Sequence, residues 1–360
     1  MRILIADAIY GGEPVIERTA CPPGFEVEAR RGMIESDIPD DAWRTCDAII
    51  MWQIMELTET TIAKLDRCRI IARAGVGFDG IDLAACARKG IPVCNCPDYG
   101  TTDVADHAIA LYLALVRGIA FFQDALRADP IAGWDWTAPP LIGRPRGRTF
   151  GVIGLGRIGT AAARRARALD MPVLFYDPYV PDGQELALGF ERTRHLEDLL
   201  ERSDVVSLHT PLTDETRRLI DAARLGRMKP TAVLINTARG AVIDIDALYE
   251  ALKERRIAGA GIDVLPQEPP DPAHPLIRAF RANEPWLAGR LLLTPHAAFY
   301  SEAGIADLRR KPVETIVAYL TEVRLRNCVN VDLLAQASTS VRRGKGRMPG
   351  RPQSTGLRTP

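Results

Sequence analysis

Short apolar runs rich in β-branched residues alternate along this chain with stretches of helical periodicity, and this alternation restricts the fold more than any other feature. Alternating strands and helices build parallel sheets from strand–helix–strand units. The runs are almost continuously apolar, which is typical of sheets covered on both faces. The sequence therefore predicts an α/β fold with two Rossmann-like, doubly wound parallel-sheet domains. The predicted strands span residues 2–6, 26–30, 48–52, 70–73, 92–94, 149–153, 173–176, 204–208, 232–235, 259–263 and 291–293.

One helical segment lies between the last two strands of the first predicted sheet, and another lies between the two predicted sheets. Residues 82–89 predict a helix that Gly90 ends. Residues 104–126 have a broad apolar face, which fits a core helix or a helix that also packs between domains or subunits. The segment from residue 134 to residue 148 is rich in Pro, Gly and Arg and predicts a surface loop.

A late helix makes the first domain discontinuous. Residues 301–323 predict a helix with Ser301 as its N-cap, which Pro312 should kink or break. No predicted strand follows this helix, so we expect it to return to the first domain. Beyond about residue 338 the chain is rich in Ser, Gly, Pro and Arg, which predicts disorder. The predicted organisation is a first domain of residues 1–100 and 297–334, a second domain of residues 101–296, and a basic disordered tail of residues 335–360.

Charge and hydropathy exclude several classes of protein. The net charge is zero, but six basic residues lie in the tail, so the first 337 residues carry 40 basic and 46 acidic residues. Such a body is a poor candidate for binding nucleic acid through its phosphates. No apolar run reaches the ~18 residues of a membrane span, and the first residues predict a strand rather than a signal peptide. We therefore expect a cytoplasmic protein with no nucleic-acid and no membrane partner.

The seven cysteines are scattered, odd in number and without metal-ligand spacing. They indicate free thiols in a reducing compartment and no metal site. Cys94 and Cys96 point to one face of a predicted strand, where packing is the favoured interpretation.

A glycine-rich turn carries the strongest functional signal. Gly154, Gly156 and Gly159 follow a predicted strand and open a predicted helix, which is the context of a dinucleotide-binding motif. The first glycine makes the tight turn, the second lets the backbone approach a pyrophosphate, and the third permits close packing of helix on strand. The pyrophosphate would lie at the helix N-terminus, where Arg157 can add a positive charge.

Asp177 ends the next predicted strand, 18 residues beyond the third glycine. A carboxylate there accepts hydrogen bonds from the adenosine ribose and repels a 2′-phosphate. The sequence therefore predicts NAD rather than NADP as the cofactor, and makes the second domain the NAD-binding domain.

Three polar residues follow other strands of the same domain: Arg239, Glu268 and His296. Ligands of open α/β sheets bind outside the carboxyl ends of the strands, so these residues can converge on one crevice. A guanidinium can hold a substrate carboxylate and polarise a carbonyl oxygen. An imidazole can transfer the hydroxyl proton, and a carboxylate can orient that imidazole and raise its pKa.

Each of these residues has an ordinary structural interpretation when taken alone. Arg239 could cap a helix at the surface, His296 could be a loop histidine, and Glu268 a solvated charge.

In the first domain, the turn Gly75–Gly77 ends a strand, and its backbone N–H groups could bind a carboxylate.

At these residues the chain resembles the D-isomer-specific 2-hydroxy-acid dehydrogenase family. Motifs in the same order carry the resemblance from about residue 45 to residue 330: RAGVGFDGID, GIPVCNCPDYGTTDVADHA, GVIGLGRIG, NTARGAVID, GIDVLPQEP and TPHAAFYSE. The family implies a flavodoxin-like substrate domain, an NAD-binding Rossmann domain and a homodimer formed mainly through the Rossmann domains.

Residue by residue, the resemblance implies that Arg239, Glu268 and His296 are catalytic. It makes Val76 and Gly77, together with Arg239, the residues that bind the substrate carboxylate. The expected cofactor contacts are Thr102, Gly154, Leu155, Gly156, Arg157, Ile158, Gly159, Asp177, His209, Thr210, Pro211, Thr216, Thr237, Ala238, Asp263 and His296.

Within the family, the segments LFYDPYVPDG, TPHAAFYSE and RNCVNVD look most like the branch of the C-terminal-binding-protein corepressors and their bacterial relatives. Phe299 stands where those corepressors have tryptophan. The chain also resembles phosphoglycerate dehydrogenases through Arg73, but residues 52–55 lack the arginine that such enzymes place near the substrate phosphate.

The predicted function is an NAD-dependent oxidoreductase that transfers a hydride between NAD(H) and a small D-2-hydroxy acid or 2-keto acid, such as glyoxylate or hydroxypyruvate. The alternatives are an NADH-sensing, corepressor-like scaffold and a 3-phosphoglycerate dehydrogenase.

Overall fold

The computed structural model describes residues 1–344, and the side chains of residues 1–337. The chain divides into two compact units. One contains residues 1–97 and the described residues from 306 onward, and the other contains residues 98–305. The sequence had predicted the changes of domain after residues 100 and 296. The predicted tail lies outside the described residues from residue 345 on.

The first unit contains one parallel sheet of five strands in the order β2-β1-β3-β4-β5. This is the flavodoxin-like strand order, in which the chain starts near the middle of the sheet and winds outward in both directions. Its strands are β1 (Arg2–Ile5), β2 (Glu26–Ala29), β3 (Ala48–Met51), β4 (Ile70–Arg73) and β5 (Val93–Cys94). Its early helices are α1 (Val15–Ala20), α2 (Asp40–Thr45), α3 (Glu59–Ala63) and α4 (Leu83–Arg88), with a 3-10 helix over Glu35–Asp37.

Every residue of β3 and β4 is buried, because helices cover both faces of this sheet. Trp43 of α2 is completely buried against the apolar side chains of these strands, among them Ile49 and Ile71. The sequence predicted all five strands from their apolar runs.

The second unit contains a parallel sheet of seven strands in the order β12-β11-β10-β9-β6-β7-β8. Strand order reverses beside β6, which creates the crevice where ligands of such sheets bind. Its strands are β6 (Phe150–Ile153), β7 (Val173–Tyr176), β8 (Glu191–Arg192), β9 (Val205–Leu208), β10 (Val233–Asn236), β11 (Gly259–Ile262) and β12 (Leu291–Leu293). Its helices are α5 (Thr101–Val116), α6 (Ile119–Ala128), α7 (Arg157–Ala168), α8 (Gln184–Leu188), α9 (Leu196–Arg202), α10 (Ala222–Leu225), α11 (Ile245–Lys253) and α12 (Pro275–Arg281), with a 3-10 helix over Gly240–Val242.

The local signals for helix ends are confirmed at two predicted helices. The Asp82 carboxylate accepts a hydrogen bond from the Ala85 N–H at the start of α4, and Gly90 has φ +71° just after its end. The predicted helix from residue 301 is α13 (Glu302–Glu322), and the Ser301 hydroxyl accepts a hydrogen bond from the Gly304 N–H. Pro312 lies inside α13, which continues through it, so the predicted break does not occur.

Two other predictions were wrong in extent. The single apolar segment 104–126 is two helices, because Gly118 adopts a left-handed conformation between α5 and α6. The last helix, α14 (Val331–Gly344), extends into the predicted tail, so residues 335–344 are helical where composition predicted disorder. This helix packs against α4 of the same unit, and that contact offsets the ordering entropy that the polar composition alone could not.

Among residues 1–344, no single helix has the length and apolar character to cross a bilayer. The pair α5 and α6 satisfies that test only when taken together, across a bend of 54°.

Candidate active site

The glycine-rich turn between β6 and α7 needs its glycines for reasons of space and backbone conformation. Gly154 has φ +90°, and a Cβ there would lie 2.8 Å from the carbonyl oxygen of His209. A Cβ on Gly159 would lie 2.0 Å from the Gly154 carbonyl oxygen. At Gly156, by contrast, a Cβ would meet no atom of the described chain within 4 Å. The first and third glycines therefore shape the turn, and the second faces open space where a ligand can approach.

Asp177 lies directly after β7 and turns its carboxylate toward this glycine turn. Its Oδ2 accepts a hydrogen bond of 2.8 Å from the Leu155 N–H, and its Oδ1 accepts one of 2.9 Å from the Tyr179 N–H. The acidic residue is thus held beside the start of α7, and its contact with the ribose stays a prediction.

Three buried polar atoms after β9 and β10 have no hydrogen-bond partner within the described chain: His209 Nδ1, Thr210 Oγ1 and Thr237 Oγ1. Buried polar atoms are normally paired, so an unpaired group next to an open turn indicates a place for a polar ligand. Desolvation lowers the pKa of His209 to about 4, so its ring is neutral near pH 7. These atoms and the turn glycines fit a bound dinucleotide.

The other expected cofactor contacts occupy several segments of the same unit. Thr102 is exposed in the first turn of α5, which packs against α7. Thr216 Oγ1 donates a hydrogen bond of 2.6 Å to the carbonyl of Pro211, which closes the loop after β9. Arg157 and Ile158 form the first turn of α7, and Ala238 lies in the turn after β10.

Arg239 is half-buried in the turn after β10. The sequence analysis did not identify the two residues that shape this turn, Asn236 and Gly240. The side chain of Asn236, which is completely buried, donates to the Arg239 carbonyl at 2.9 Å and accepts from the Ala238 N–H at 3.0 Å. A Cβ on Gly240 would lie 1.9 Å from the carbonyl carbon of Leu265. Glycine at residue 240 therefore lets the Arg239 turn approach the segment that carries Glu268.

Glu268 and His296 form a hydrogen-bonded pair. The Nδ1 atom of His296 lies 2.7 Å from Oε2 of Glu268, and the Leu265 N–H donates to Oε1 of the same carboxylate at 2.8 Å. With Nδ1 bonded to the carboxylate, Nε2 is the ring nitrogen that remains for a substrate.

The charge of Glu268 is fixed by its neighbours. Burial by itself would raise the pKa of Glu268, but four other influences lower it, of which the hydrogen bond and the charge of His296 are the largest. The Leu265 N–H and the Arg239 charge act in the same direction, so the pKa lies below its ordinary value. The carboxylate is therefore ionised at neutral pH, and Arg239 is close enough to affect it.

The loop that carries His296 is held by a buried carboxylate, Asp263. His296 has φ +52°, a left-handed conformation that non-glycine residues rarely adopt. Its N–H donates to the Asp263 carbonyl at 2.8 Å. The Asp263 side chain accepts hydrogen bonds from the N–H groups of Ala297 at 2.8 Å and Ala298 at 3.0 Å.

His107 and Thr294 complete this support, and the sequence analysis gave neither a role. The Thr294 hydroxyl donates to Oδ1 of Asp263 at 2.5 Å and accepts from Nε2 of His107 at 3.0 Å. Because the hydroxyl proton points to Asp263, His107 must be the donor. The signal that could have found them is the polar side chain of Thr294 two residues before His296.

In the first unit, the turn predicted to bind a carboxylate follows β4. The Val76 carbonyl accepts a hydrogen bond of 2.7 Å from the side-chain amide of Asn95, and the Gly75 carbonyl accepts one of 3.0 Å from the Cys96 N–H. Gly75 has φ +150°, and a Cβ there would lie 2.9 Å from the Arg73 guanidinium. Val76 and Gly77 thus belong to a turn braced by the segment after β5.

Taken together, the seven-stranded sheet, its glycine turn and the Arg–Glu–His set define a dinucleotide-dependent oxidoreductase. A family model described as the NAD-binding domain of D-isomer-specific 2-hydroxyacid dehydrogenases matches residues 109–298. A glyoxylate reductase from Korarchaeum cryptofilum is 38% identical over 294 residues, which cover 81% of this chain and 85% of that protein.

A D-3-phosphoglycerate dehydrogenase from Archaeoglobus fulgidus is 34% identical over 332 residues, which cover 92% of this chain and 59% of that protein. Among solved structures, the NADPH-dependent glyoxylate/hydroxypyruvate reductase of Sinorhizobium meliloti, in complex with NADP and malonate, aligns with a TM-score of 0.78. That structure is 30% identical, and the alignment covers 91% of this chain and 96% of that chain.

The chain belongs to the D-isomer-specific 2-hydroxyacid dehydrogenase family. It is an NAD-dependent oxidoreductase that acts on small 2-hydroxy or 2-keto acids, as the sequence predicted. The predicted fold class is confirmed as well.

Proposed function

We propose that Arg239, Glu268 and His296 carry out the reduction of a small 2-keto acid such as glyoxylate or hydroxypyruvate. The observation that carries this proposal is the 2.7 Å hydrogen bond between His296 and an ionised Glu268, with the Arg239 charge close enough to lower the Glu268 pKa. These three groups come from three separate strand ends of one sheet.

Each residue has one task in this proposal. When bound, NADH supplies the hydride that reduces the keto carbon. Arg239 binds the substrate carboxylate and stabilises the negative charge that develops on the keto oxygen. His296 donates a proton from Nε2 to that oxygen, and takes it back in the oxidation direction. Glu268 holds the imidazole in place through its hydrogen bond to Nδ1.

The turn that contains Val76 and Gly77 is proposed to bind the substrate carboxylate through backbone N–H groups. A turn that presents successive N–H groups is a common site for an anion. The hydrogen bonds from Asn95 and Cys96 to the carbonyls of residues 75 and 76 support this assignment, because they fix the peptide planes of the turn.

A substrate panel tests the proposal. NADH oxidation is followed with glyoxylate, hydroxypyruvate, pyruvate and 3-phosphohydroxypyruvate. We expect the highest kcat/KM with glyoxylate or hydroxypyruvate. The highest value with 3-phosphohydroxypyruvate would favour the phosphoglycerate dehydrogenase alternative. Tight NADH binding without turnover on any of the four would favour the scaffold.

The role of Asp177 is tested by the choice of cofactor. Its carboxylate lies at the end of β7 and would repel a 2′-phosphate, so kcat/KM with NADH should exceed that with NADPH. A clear preference for NADPH would remove Asp177 from this role.

We also propose that the enzyme is a cytoplasmic homodimer. All ten residues of α6 are at least partly exposed, although the helix is rich in apolar side chains. The loop after it exposes 87% of Ile131, 79% of Trp134 and 81% of Trp136. Large exposed apolar patches mark interaction surfaces. The seven cysteines are free, which fits a reducing compartment.

Light scattering coupled to gel filtration tests the dimer. The native protein should have twice the 39.5 kDa mass of one chain. Trp134→Glu combined with Trp136→Glu should shift it toward the monomer, whereas Tyr179→Glu, another exposed aromatic residue of this unit, should not. A monomeric native protein would contradict the proposal.

A further inference from the structure

Cys94 and Cys328 face each other across two short antiparallel segments of the first unit. The bridge between them is flanked by hydrogen bonds from the Val329 N–H to the Val93 carbonyl at 2.8 Å and from the Asn95 N–H to the Asn327 carbonyl at 3.1 Å. This is the pattern of a non-hydrogen-bonded pair, whose Cα atoms lie ~4.5 Å apart with their side chains close. A disulfide requires a Cα separation of about 4.4–6.8 Å.

The two cysteines are paired across the bridge, but their thiols do not behave alike. The interaction with Cys94 lowers the pKa of Cys328, and the interaction with Cys328 raises that of Cys94. The Cys328 thiol donates a hydrogen bond of 3.3 Å to Oδ1 of Asn330. Cys94 is buried, whereas Cys328 is partly exposed. Cys328 is therefore the thiol that a soluble reagent can reach, and Cys94 is the neighbour behind it.

The segment that carries Cys328 is fixed against β5 by Asn330. The side chain of this buried residue accepts from the Val93 N–H at 2.9 Å and donates to the Ile91 carbonyl at 3.0 Å. Backbone and side-chain hydrogen bonds therefore hold the two cysteines opposite each other in the folded protein.

We propose that Cys94 and Cys328 form a thiol–disulfide modification site, in which Cys328 is the reacting thiol and Cys94 the resolving thiol. A hydroperoxide is the oxidant. The Cys328 thiolate attacks one peroxide oxygen, the O–O bond breaks, and a sulfenic acid and hydroxide result. The Cys94 thiol then attacks the sulfenic sulfur, an S–S bond forms, and water leaves. Two thiols lose two electrons and two protons, and hydrogen peroxide becomes two waters.

The site is connected to the turn that contains Val76 and Gly77. Asn95 and Cys96 directly follow Cys94, and they hold the carbonyls of Val76 and Gly75. The pair lies at the short end of the Cα separations that disulfides adopt, so we expect the backbone at residue 94 to shift when the sulfurs reach a bond length of about 2.05 Å. We expect this movement to loosen the Asn95 contact with Val76. This consequence, unlike the modification site itself, rests on the proposed substrate-binding role of the turn.

A second cysteine pair serves as an internal control. Cys46 and Cys68 also lie next to each other, but both are buried, and their thiols donate to the carbonyls of Trp43 and Ile70. The interaction with Cys46 raises the pKa of the Cys68 thiol, and burial raises it further. These two thiols are neighbours, but a soluble oxidant cannot reach either of them, so the pair should stay reduced.

The test treats the full-length native protein with hydrogen peroxide, blocks the remaining thiols with an alkylating reagent, and maps the peptides by mass spectrometry. The expected result is a linked pair of peptides that contain Cys94 and Cys328, lighter by two hydrogens than the separate thiols. Cys328→Ser should abolish the link. The link should persist in Cys21→Ser, which removes another partly exposed thiol.

Free, alkylated Cys94 and Cys328 after this treatment would overturn the proposal. So would a link that persists in Cys328→Ser, or a link between Cys46 and Cys68 in place of the predicted one. Circular dichroism of each variant before treatment verifies that it has folded.

A kinetic measurement then separates the site from its consequence. Oxidation should raise the KM for the keto acid by about fivefold, as expected for the loss of one hydrogen bond, with an unchanged Kd for NADH. Dithiothreitol should restore the KM, and the KM of Cys328→Ser should not respond to peroxide. An unchanged KM in protein that carries the mapped disulfide would contradict the coupling to the turn and leave the modification site established.

Discussion

Two carboxylates support the His296 loop in opposite ways. Asp263 has a completely buried side chain, and its donors are the Thr294 hydroxyl and two backbone N–H groups. The Glu268 side chain is 37% exposed, and its main partner is the imidazole itself. The buried carboxylate fixes the path of the backbone, and the exposed one fixes the imidazole, which we propose to be the acid–base group.

The backbone of this loop and the imidazole of His296 are therefore held by two separate carboxylates. Asp263 shapes a loop in which His296 adopts φ +52°, a conformation that needs support from surrounding structure. Glu268 is partly exposed, and its carboxylate is hydrogen-bonded to the imidazole of His296 and the Leu265 N–H. We therefore expect loss of Asp263 to affect stability and rate together, and loss of Glu268 to affect mainly the rate.

The largest effect is expected for His296→Gln. Glutamine can keep a hydrogen bond to Glu268 but cannot transfer the proton, so kcat should fall by about 10²–10⁴. The Kd for NADH, measured by fluorescence titration, and the melting temperature should change little. A kcat close to that of the native enzyme would exclude His296 as the acid–base group.

A smaller loss is expected for Asp263→Asn. The side-chain amide of asparagine has one acceptor oxygen, whereas the hydrogen bonds from Thr294, Ala297 and Ala298 now use both carboxylate oxygens. The protein should lose about 1–3 kcal/mol of stability in urea unfolding, and kcat should fall as the His296 loop shifts. The resemblance to the family instead predicts that Asp263 contacts NAD. Loss of NADH affinity with full stability would favour that role over the loop support described here.

Thr294→Val tests the outer end of the same support. Valine keeps the volume but removes the hydroxyl between His107 and Asp263, at an expected cost of about 1 kcal/mol of stability. Thr213→Val is a matched control, because that hydroxyl lies in an exposed loop. Equal changes in the melting temperatures of the two variants would contradict the special role of Thr294.

The smallest effect concerns acid stability. The folded-state pKa of Glu268 lies below its ordinary value of 4.5, so its contribution to stability is complete above pH 4.5. That contribution is lost as the pH falls from there through the folded-state pKa. Unfolding of Glu268→Gln should therefore depend less on pH in this acidic range. An unchanged pH dependence would contradict the lowered pKa of Glu268.

The parts of the site that depend on neighbouring residues could be predicted from the sequence. Gly154, Gly159 and Asp177 act within one strand–turn–helix–strand unit, and the conformations and contacts of that turn match their predicted spacing. Ser301 caps the helix that directly follows it, and Gly90 adopts a left-handed conformation just after the helix that it was predicted to end. In each of these cases the partner lies within a few residues or at a fixed offset in one repeating unit.

The parts that were missed depend on distant partners or on very short elements. Strand β8 has two residues and no apolar run to reveal it. Gly118 ends α5 although the apolar periodicity continues past it, so only its left-handed conformation shows the break. The contact of His107 with Thr294 joins residues 187 positions apart. No local pattern encodes such a contact, because it arises only when α5 packs on the sheet.

The most direct test of the proposed mechanism is a double-mutant cycle for kcat with Glu268→Gln and His296→Gln. If Glu268 acts through His296, Glu268→Gln alone should lower kcat by about tenfold, equivalent to ~1.4 kcal/mol. The double variant should then be no slower than His296→Gln alone. Two independent, multiplying losses would contradict the account, because they would show that the carboxylate contributes to the reaction without the imidazole.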